Sequence, residues 1–278
     1  MKNPAATQTG NIYFHDIGDY LTREEKLEKI SEFVSINGIA KAHGWQSITP
    51  DAYNDWLNQR DDSFGDFISI GRKEKDTSLA IFGIYSMGVK TNRDDWVYNY
   101  SIRTVNDNVD VMIDTFNSEI DRLPECVGSI SDWVIRDKSK IKWTSDILNI
   151  LGKKNKQYKE GECFTVGLYR PFSKEWFYSN KTWNWSRHLV PRFIPEKGAH
   201  NLIIGLTGVG ETKGFTCLIT NISPNLHFIA GSQCFPLYIY DEDPNYHEGD
   251  GFLLGETGGK YIKRDAITDD GFCYFKDK

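Results

Sequence analysis

The run Trp96–Tyr100 (WVYNY) most strongly limits how this chain can fold. Aromatic and β-branched residues favour a pleated, half-buried surface, so the run predicts a β-strand. The polar segment Thr91–Asp94 (TNRD) comes directly before it. This order predicts a loop that presents hydrogen-bonding side chains from the rim of a sheet.

Further β-prone runs follow in the second half of the chain, and several helices are predicted as well. Thr22–Glu25 fits a capping box that begins a helix, and residues 107–123 carry apolar side chains at helical spacing. A short helix is predicted from about Thr144 to Gly152, because glycine commonly ends a helix. A strand followed by a turn is predicted at 11–20, and a further short helix at 50–60. Strands are predicted at 79–85, 163–169, 175–179, 200–207, 214–220, 226–229 and 236–240. The predicted class is α+β, a mixed sheet-rich domain with flanking helices.

Length and composition allow one large domain or two modest ones in the 278 residues, each with its own core. No run approaches the roughly 18 apolar residues that a membrane helix needs. The five cysteines are widely spaced and form no CxxC pair. Neither a zinc ribbon nor a disulfide framework is therefore predicted, and a reducing cytoplasm is the expected location.

The charge is distributed unevenly, although the net charge of −6 argues at first against nucleic acid. Residues 136–213 carry 15 basic and 7 acidic side chains, a net charge of +8. Residues 1–135 have a net charge of −9 and residues 241–278 a net charge of −5. A basic middle between acidic flanks fits a DNA-facing surface, and it equally fits a solvated surface rich in lysine.

Two clusters of lysine stand out within the basic middle. Lys138, Lys140 and Lys142 alternate with other residues, so one face of an extended strand would be uniformly positive. Such a face offers phosphate contacts, or it protects an edge strand from aggregation. A second run, Lys153–Lys159, favours the DNA interpretation.

Several motifs with catalytic or ligand-binding associations fail in detail. Gly208–Gly214 has the wrong spacing for a phosphate loop and precedes a strand, so a glycine-rich hairpin is predicted. Asp241–Asn245 begins like a calcium loop, but the glycine and the glutamate that such a loop requires are missing. Asp243–Tyr246 resembles the catalytic tetrapeptide of amino-group methyltransferases without its second proline. The six histidines show no metal-ligand spacing. We therefore predict no catalytic residue, no cofactor and no metal in this chain.

The Thr91–Asp94 loop is open to two interpretations. Asn92 and Arg93 are residue types that read adenine and guanine edges by paired hydrogen bonds. Alternatively, Asp94 caps a turn and Arg93 pairs with a carboxylate such as Asp95.

Several short sequence motifs, in their order along the chain, resemble the C-terminal specificity region of Type ISP restriction–modification enzymes. These motifs are Lys142–Ser145 (KWTS), Leu168–Phe172 (LYRPF), Trp176–Tyr178, Trp183–Trp185 and Cys234–Tyr240. Such enzymes join a helicase-like motor, an adenine methyltransferase and a DNA target-recognition domain in one chain. The resemblance implies that residues 1–75 are the tail of a methyltransferase domain with linker helices. It also implies a target-recognition domain at 76–245 and a truncated extension at 246–278.

The resemblance implies sequence-specific recognition of double-stranded DNA by a fragment that lacks catalysis of its own. Its partners would be the remaining methyltransferase and helicase segments, because the helicase motifs and the cofactor-binding glycine loop are absent. An alternative is a scaffold segment that couples the motor to the methyltransferase. The candidate DNA-contacting residues are Asn92, Arg93, Trp143, Thr144, Lys153, Lys154, Lys156, Arg170, Lys181, Arg187 and Arg192.

Overall fold

The computed structural model describes residues 10–57, 59, 62–246 and 260–276. The chain divides into two compact units, Met1–Phe67 and Ile68–Lys278. The boundary predicted at residue 75, between the tail of a methyltransferase domain and a target-recognition domain, stays a prediction. No helix in the described part of the chain is long and apolar enough to cross a membrane.

The first unit contains a small antiparallel sheet and two helices. Strand β1 (Ile12–Phe14) pairs with β2 (Gln46–Ile48), and helices α1 (Arg23–Glu32) and α2 (Ile36–Lys41) lie between them in the chain. The predicted capping box is present, since Thr22 Oγ1 accepts from Glu25 N and Glu25 Oε2 accepts from Thr22 N. A 3₁₀ turn spans Asp62–Asp66.

The predicted helix at 50–60 is wrong for the residues of this range that the structure describes. The carboxylate of Asp51 accepts hydrogen bonds from the backbone N–H groups of Tyr53 and Asp55, at 2.8 and 2.9 Å. These local hydrogen bonds give the backbone an alternative to the hydrogen bonds of a helix, so the segment forms turns.

The second unit is built from four small sheets and six helices in its described part. The strands are β3 (Ser69–Gly71), β4 (Ala80–Phe82), β5 (Ser86–Met87), β6 (Tyr98–Asn99), β7 (Phe164–Arg170), β8 (Ser173–Tyr178), β9 (Ile203–Leu206), β10 (Cys217–Thr220), β11 (Ser223–Pro224), β12 (Gln233–Pro236), β13 (Tyr238–Glu242) and β14 (Tyr261–Asp265). The helices are α3 (Asp94–Val97), α4 (Ile102–Arg122), α5 (Ile130–Trp133), α6 (Ser145–Gly152), α7 (Val190–Phe193) and α8 (Asp269–Lys276), with 3₁₀ turns at Leu123–Glu125 and Gly161–Cys163. The predicted mixed α+β class is confirmed.

Two four-stranded sheets organise this unit. One is antiparallel with the order β10-β9-β12-β5, and the other has the order β11-β7-β8-β6 with one parallel pair, β11 with β7. The remaining strands form pairs, β3 with β4 and β13 with β14. Residues 260–276 are integral to the unit, because β14 pairs with β13 and Thr268 Oγ1 donates to Ala80 O at 2.5 Å.

The larger core forms around α4. Ser101 caps this helix by accepting from Thr104 N, and the buried face repeats every three or four residues as the sequence predicts. The buried side chains of α4 include Val105, Val109, Met112, Ile113, Phe116 and Ile120. They pack in one cluster with Ile147 and Leu151 of α6 and with Trp183. A second cluster includes Ile203, Phe228 and Phe235.

Two predicted strands are wrong in whole or in part, and residues 138–140 do not form an extended strand, each because of local hydrogen bonding. Only Tyr98 and Asn99 of the predicted strand Trp96–Tyr100 form one, β6, since Arg93 O accepts from the N–H groups of Trp96 and Val97 and closes the helical turn α3. Residues 138–140 form a turn closed by Asp137. Residues 226–229 also turn, because Asn225 Oδ1 accepts from His227 N.

Arg192 connects three parts of the second unit that are distant in sequence. Its guanidinium donates to Glu74 at 2.9 Å and to Asp241 at 2.6 Å, and Asp241 also pairs with Arg264. The hydrogen bond from Arg192 lowers the pKa of Glu74. Burial acts to raise the pKa of Asp241, but hydrogen bonds from Arg264 and Arg192 outweigh it and lower that pKa.

We expect Arg192→Gln to destabilise the protein more at pH 7 than at pH 3. A carboxylate with a lowered pKa stabilises the fold above its ordinary pKa, and the stabilisation is lost as the pH falls through the folded-state pKa. The loss should therefore occur below about pH 4. Urea unfolding midpoints of the wild type and the variant at both pH values measure the difference. An equal difference in midpoint at both pH values would show that the ion pairs of Arg192 with Glu74 and Asp241 do not stabilise the fold.

Candidate nucleic-acid interface

A cavity of about 350 Å³ lies between the Thr91–Asp95 segment and the turn at 225–227. We call it the Asn92 pocket. Asn92 has a φ of +58°, a left-handed conformation that asparagine adopts more readily than most other residues. The pocket is lined by Val89, Lys90, Thr91, Asn92, Arg93, Asp94, Asp95, Trp96, Lys142, Tyr169, Asn225, Leu226 and His227.

Close backbone contact forms one wall of the Asn92 pocket. Val89 N donates to Pro224 O at 2.8 Å, and Leu226 N donates to Val89 O at 2.7 Å. A Cβ at Gly88 would lie 2.5 Å from Asn225 O, so only glycine permits this approach. The two segments therefore hold each other in place.

Arg93 is a structural residue, which corrects its prediction as a DNA contact. Its side chain is 0% exposed and its Nη2 pairs with Asp146 at 2.7 Å and with Thr144 Oγ1. Its Nη1 donates to the carbonyl oxygens of Thr91 and Trp183, both at 3.3 Å. Burial lowers the pKa of Arg93, although the Asp146 carboxylate opposes this shift. Both Nη atoms are bonded inside the protein, while the buried Nε has no hydrogen-bond partner among the described residues.

Trp143 is likewise buried, which corrects its prediction as a DNA contact, while Thr144 is half-buried and its contact with DNA stays a prediction. The Trp143 indole Nε1 donates to Ile135 O at 3.0 Å, and its ring stacks on Phe116. Thr144 Oγ1 accepts from Arg93 and donates to Asp146. Both side chains hold the start of α6 against the core.

Arg170 lies at the edge of the Asn92 pocket and remains partly exposed. Its guanidinium sits 3.8 Å from the centre of the Tyr169 ring. Nη1 donates to Asn225 Oδ1 at 3.2 Å, and Asn225 lines the pocket. The nearest carboxylate recorded for Arg170 is that of Asp94, at 3.6 Å, which is longer than a direct hydrogen bond.

The predicted basic run at 153–159 is only partly free. Lys153 and Lys154 are exposed at the end of α6. Lys156 forms an ion pair with Asp121 at 2.8 Å, and Lys159 pairs with Asp110 at 2.7 Å. Both carboxylates belong to α4, so the helix neutralises half of this run.

The remaining predicted cations do not line the Asn92 pocket. Lys181 is exposed in the turn after β8. Arg187 donates to Ser179 O at 3.3 Å and lines a separate cavity of about 150 Å³ together with Glu162 and Glu196. Arg192, whose side chain is 27% exposed, forms ion pairs with Glu74 and Asp241, and its contact with DNA stays a prediction. Among the described residues, no group of three or more His, Cys, Asp or Glu side chains could hold a metal ion.

The family model of the Type ISP C-terminal specificity domain matches residues 80–278. The chain belongs to this family. The resemblance drawn from the sequence is therefore confirmed. The comparison with curated proteins gave no match.

Solved structures of three larger proteins are similar to this specificity domain. LlaBIII, an ATP-dependent Type ISP restriction-modification enzyme bound to DNA, is 28% identical with a TM-score of 0.75, over 100% of this chain and 17% of that chain. A nuclease-deletion mutant of the Type ISP enzyme LlaGI, in complex with a DNA substrate mimic, is 30% identical with a TM-score of 0.75, over 97% and 24%. A DrdV–DNA complex is 26% identical with a TM-score of 0.73, over 96% and 24%. The chain thus spans about a quarter or less of each of these proteins.

Sequence reasoning missed several residues of the specificity domain that line the Asn92 pocket. Lys90 lies over the Trp185 ring at 5.7 Å, and no periodic pattern marks it. The sequence marks Lys142 as the last of three alternating lysines, but it was not among the predicted site residues. Tyr169 and Asn225 became recognisable only through their contacts with Arg170.

Proposed function

We propose that this specificity domain recognises duplex DNA as the target-reading module of a longer Type ISP restriction–modification polypeptide. The observation that carries the proposal is the convergence of polar and cationic side chains at the Asn92 pocket. Asn92, Lys90 and Lys142 line it, and Arg170 lies at its edge. Amide and guanidinium groups read base edges, while lysines contact phosphates and position the protein.

The candidate contacts that we retain have exposed or partly exposed polar groups that no carboxylate of the described residues holds at hydrogen-bonding distance. They are Asn92, Lys153, Lys154, Arg170, Lys181 and Arg187, to which we add Lys90 and Lys142. We propose no cofactor, metal or catalytic residue for this chain. Cleavage and methylation of DNA would be performed by other segments of the polypeptide.

We further propose that the first unit is the tail of a methyltransferase domain. This position in the polypeptide favours a second role for the first unit, as a scaffold that couples the motor to the methyltransferase. Helix α1 has no buried residue, and Leu27 and Ile30 are each 57% exposed. Exposed apolar side chains on one helix fit a surface that another segment covers. A chain with only this role would have no salt-dependent affinity for DNA.

We expect DNA affinity to fall steeply with salt, and Lys90→Gln/Lys142→Gln to reduce that dependence. Each lysine that neutralises a phosphate releases counterions and adds about −0.9 to the slope of log affinity against log salt. The double variant should therefore lower the magnitude of the slope by about two. Titration of the 278-residue chain with a randomised duplex between about 50 and 200 mM salt measures it.

The matched control is Lys156→Gln/Lys159→Gln, which removes the same charge from lysines that are already paired with carboxylates. Its slope should match that of the wild type. Equal slopes for the wild type and both double variants would remove the Asn92 pocket from the DNA interface. Absence of binding by the wild type would contradict the proposed function itself.

A further inference from the structure

The described structure fixes the guanidinium of Arg170 before any ligand is bound. Nη1 donates to Tyr169 O at 2.8 Å and to Asn225 Oδ1 at 3.2 Å, and Nη2 donates to Tyr169 Oη at 3.1 Å. Asn225 is itself buried and bonded to the turn that it begins. Burial, followed by the nearby charge of Asp94, raises the pKa of Tyr169, so its phenol stays neutral.

The strand pairing is irregular next to Arg170. The register between β7 and β8 shifts between Leu168 and Arg170, at the end of β7. A shift of register changes the direction of the side chains that follow it, and such irregularities are common beside functional sites. The hairpin then turns sharply through Phe172, whose φ is +64°. Arg170 is thus placed at the edge of the Asn92 pocket by backbone geometry as well as by its hydrogen bonds.

The remaining hydrogen-bonding groups form a defined pattern. The two acceptors of Nη1 use both of its N–H groups, while Nε has no acceptor among the described residues. The N–H of Nε and one N–H of Nη2 therefore remain available as a pair of donors. Asp94, 3.6 Å from Nη2, adds an acceptor beside them, and Thr91 Oγ1 donates to the other oxygen of this carboxylate.

We propose that Arg170 and Asp94 together read one G·C base pair, an inference that rests on the proposed function. In the major groove, guanine presents N7 and O6 as acceptors and its partner cytosine presents the N4 amino group as a donor. Two arginine donors beside a carboxylate acceptor match this order. Asp94 would supply this acceptor, because its carboxylate is 30% exposed and lies beside the free donors of Arg170.

Arg170→Lys and Asp94→Asn test this inference. Lysine keeps the charge but loses the planar fork, and asparagine keeps the shape of aspartate but loses the charge. We expect each variant to reduce the preference for G·C by roughly tenfold or more, at the same base-pair position in both cases. The measurement is selection of bound duplexes from a randomised pool by the full 278-residue chain, followed by sequencing, with thermal melting to check folding.

Lys153→Gln is the control, because an exposed lysine that contacts phosphate should lower affinity uniformly at all positions. A uniform loss for Arg170→Lys would overturn the inference and assign Arg170 to phosphate binding. Unchanged preferences in both variants would also overturn it, while binding by the wild type would leave the proposed function standing. If the wild type binds no DNA, the proposed function fails and the inference fails with it.

Discussion

Arg93→Ala is expected to lower the free energy of unfolding by about 3 kcal/mol or more, the cost of removing one partner from a buried ion pair. The variant leaves the Asp146 carboxylate, which is 23% exposed, without its cation. It also removes the donors that reach the carbonyl oxygens of Thr91 and Trp183. Urea unfolding followed by tryptophan fluorescence measures the loss.

Arg136→Ala is the matched control for this prediction. Arg136 is exposed and donates to Ser131 O at 2.8 Å, so its replacement should cost about 0.5 kcal/mol or less. Arg93→Lys should fall between the two, because it keeps the charge but cannot reach four acceptors at once. Similar losses of unfolding free energy for Arg93→Ala and Arg136→Ala would show that Arg93 does not connect the Thr91–Asp94 loop to α6.

Trp183→Ala is expected to cost about 3 to 5 kcal/mol, because it opens a large cavity in the core around α4. Trp183 is 1% exposed and meets the Phe116 ring edge-on, with 5.4 Å between ring centres. The surrounding helices can close the space only in part, so both packing and apolar burial are lost. Chemical unfolding at constant pH measures this difference.

Trp185→Ala offers a control two residues away. Trp185 is 42% exposed, and its recorded ring contact is with the ammonium of Lys90. We expect a loss of about 1 kcal/mol or less, since exposed cation–π contacts are weak. A result in which the two tryptophan variants are equally destabilised would contradict the assignment of Trp183 to the core.

Local patterns predicted the elements whose stability depends on near neighbours in the chain. The spacing of Val109, Met112 and Phe116 predicted the buried face of α4, and the Thr22–Glu25 capping box predicted the start of α1. Both depend on residues three or four apart, which the sequence displays directly. The same local reasoning held only for Tyr98 and Asn99 of the predicted strand Trp96–Tyr100, because hydrogen bonds to Arg93 O place Trp96 and Val97 in a helical turn.

The candidate site was predicted less evenly than the helices. Asn92 and Arg170 were identified from their residue types; Asn92 lines the pocket, and Arg170 donates to Asn225, which also lines it. Arg93 was assigned to the same surface, yet its side chain points into the core toward Asp146, 53 residues further along the chain. Residue type gives the chemistry of a side chain but not the direction in which the fold turns it.

The sequence by itself determined the α+β class, the resemblance to the Type ISP specificity region and the excess of positive charge at 136–213. Only the tertiary structure decided which of those charges are free. Arg192 meets Glu74 across 118 residues, and Lys156 meets Asp121 across 35. Ion pairs of this range depend on how distant segments pack, whereas composition and periodicity record only what each segment contains.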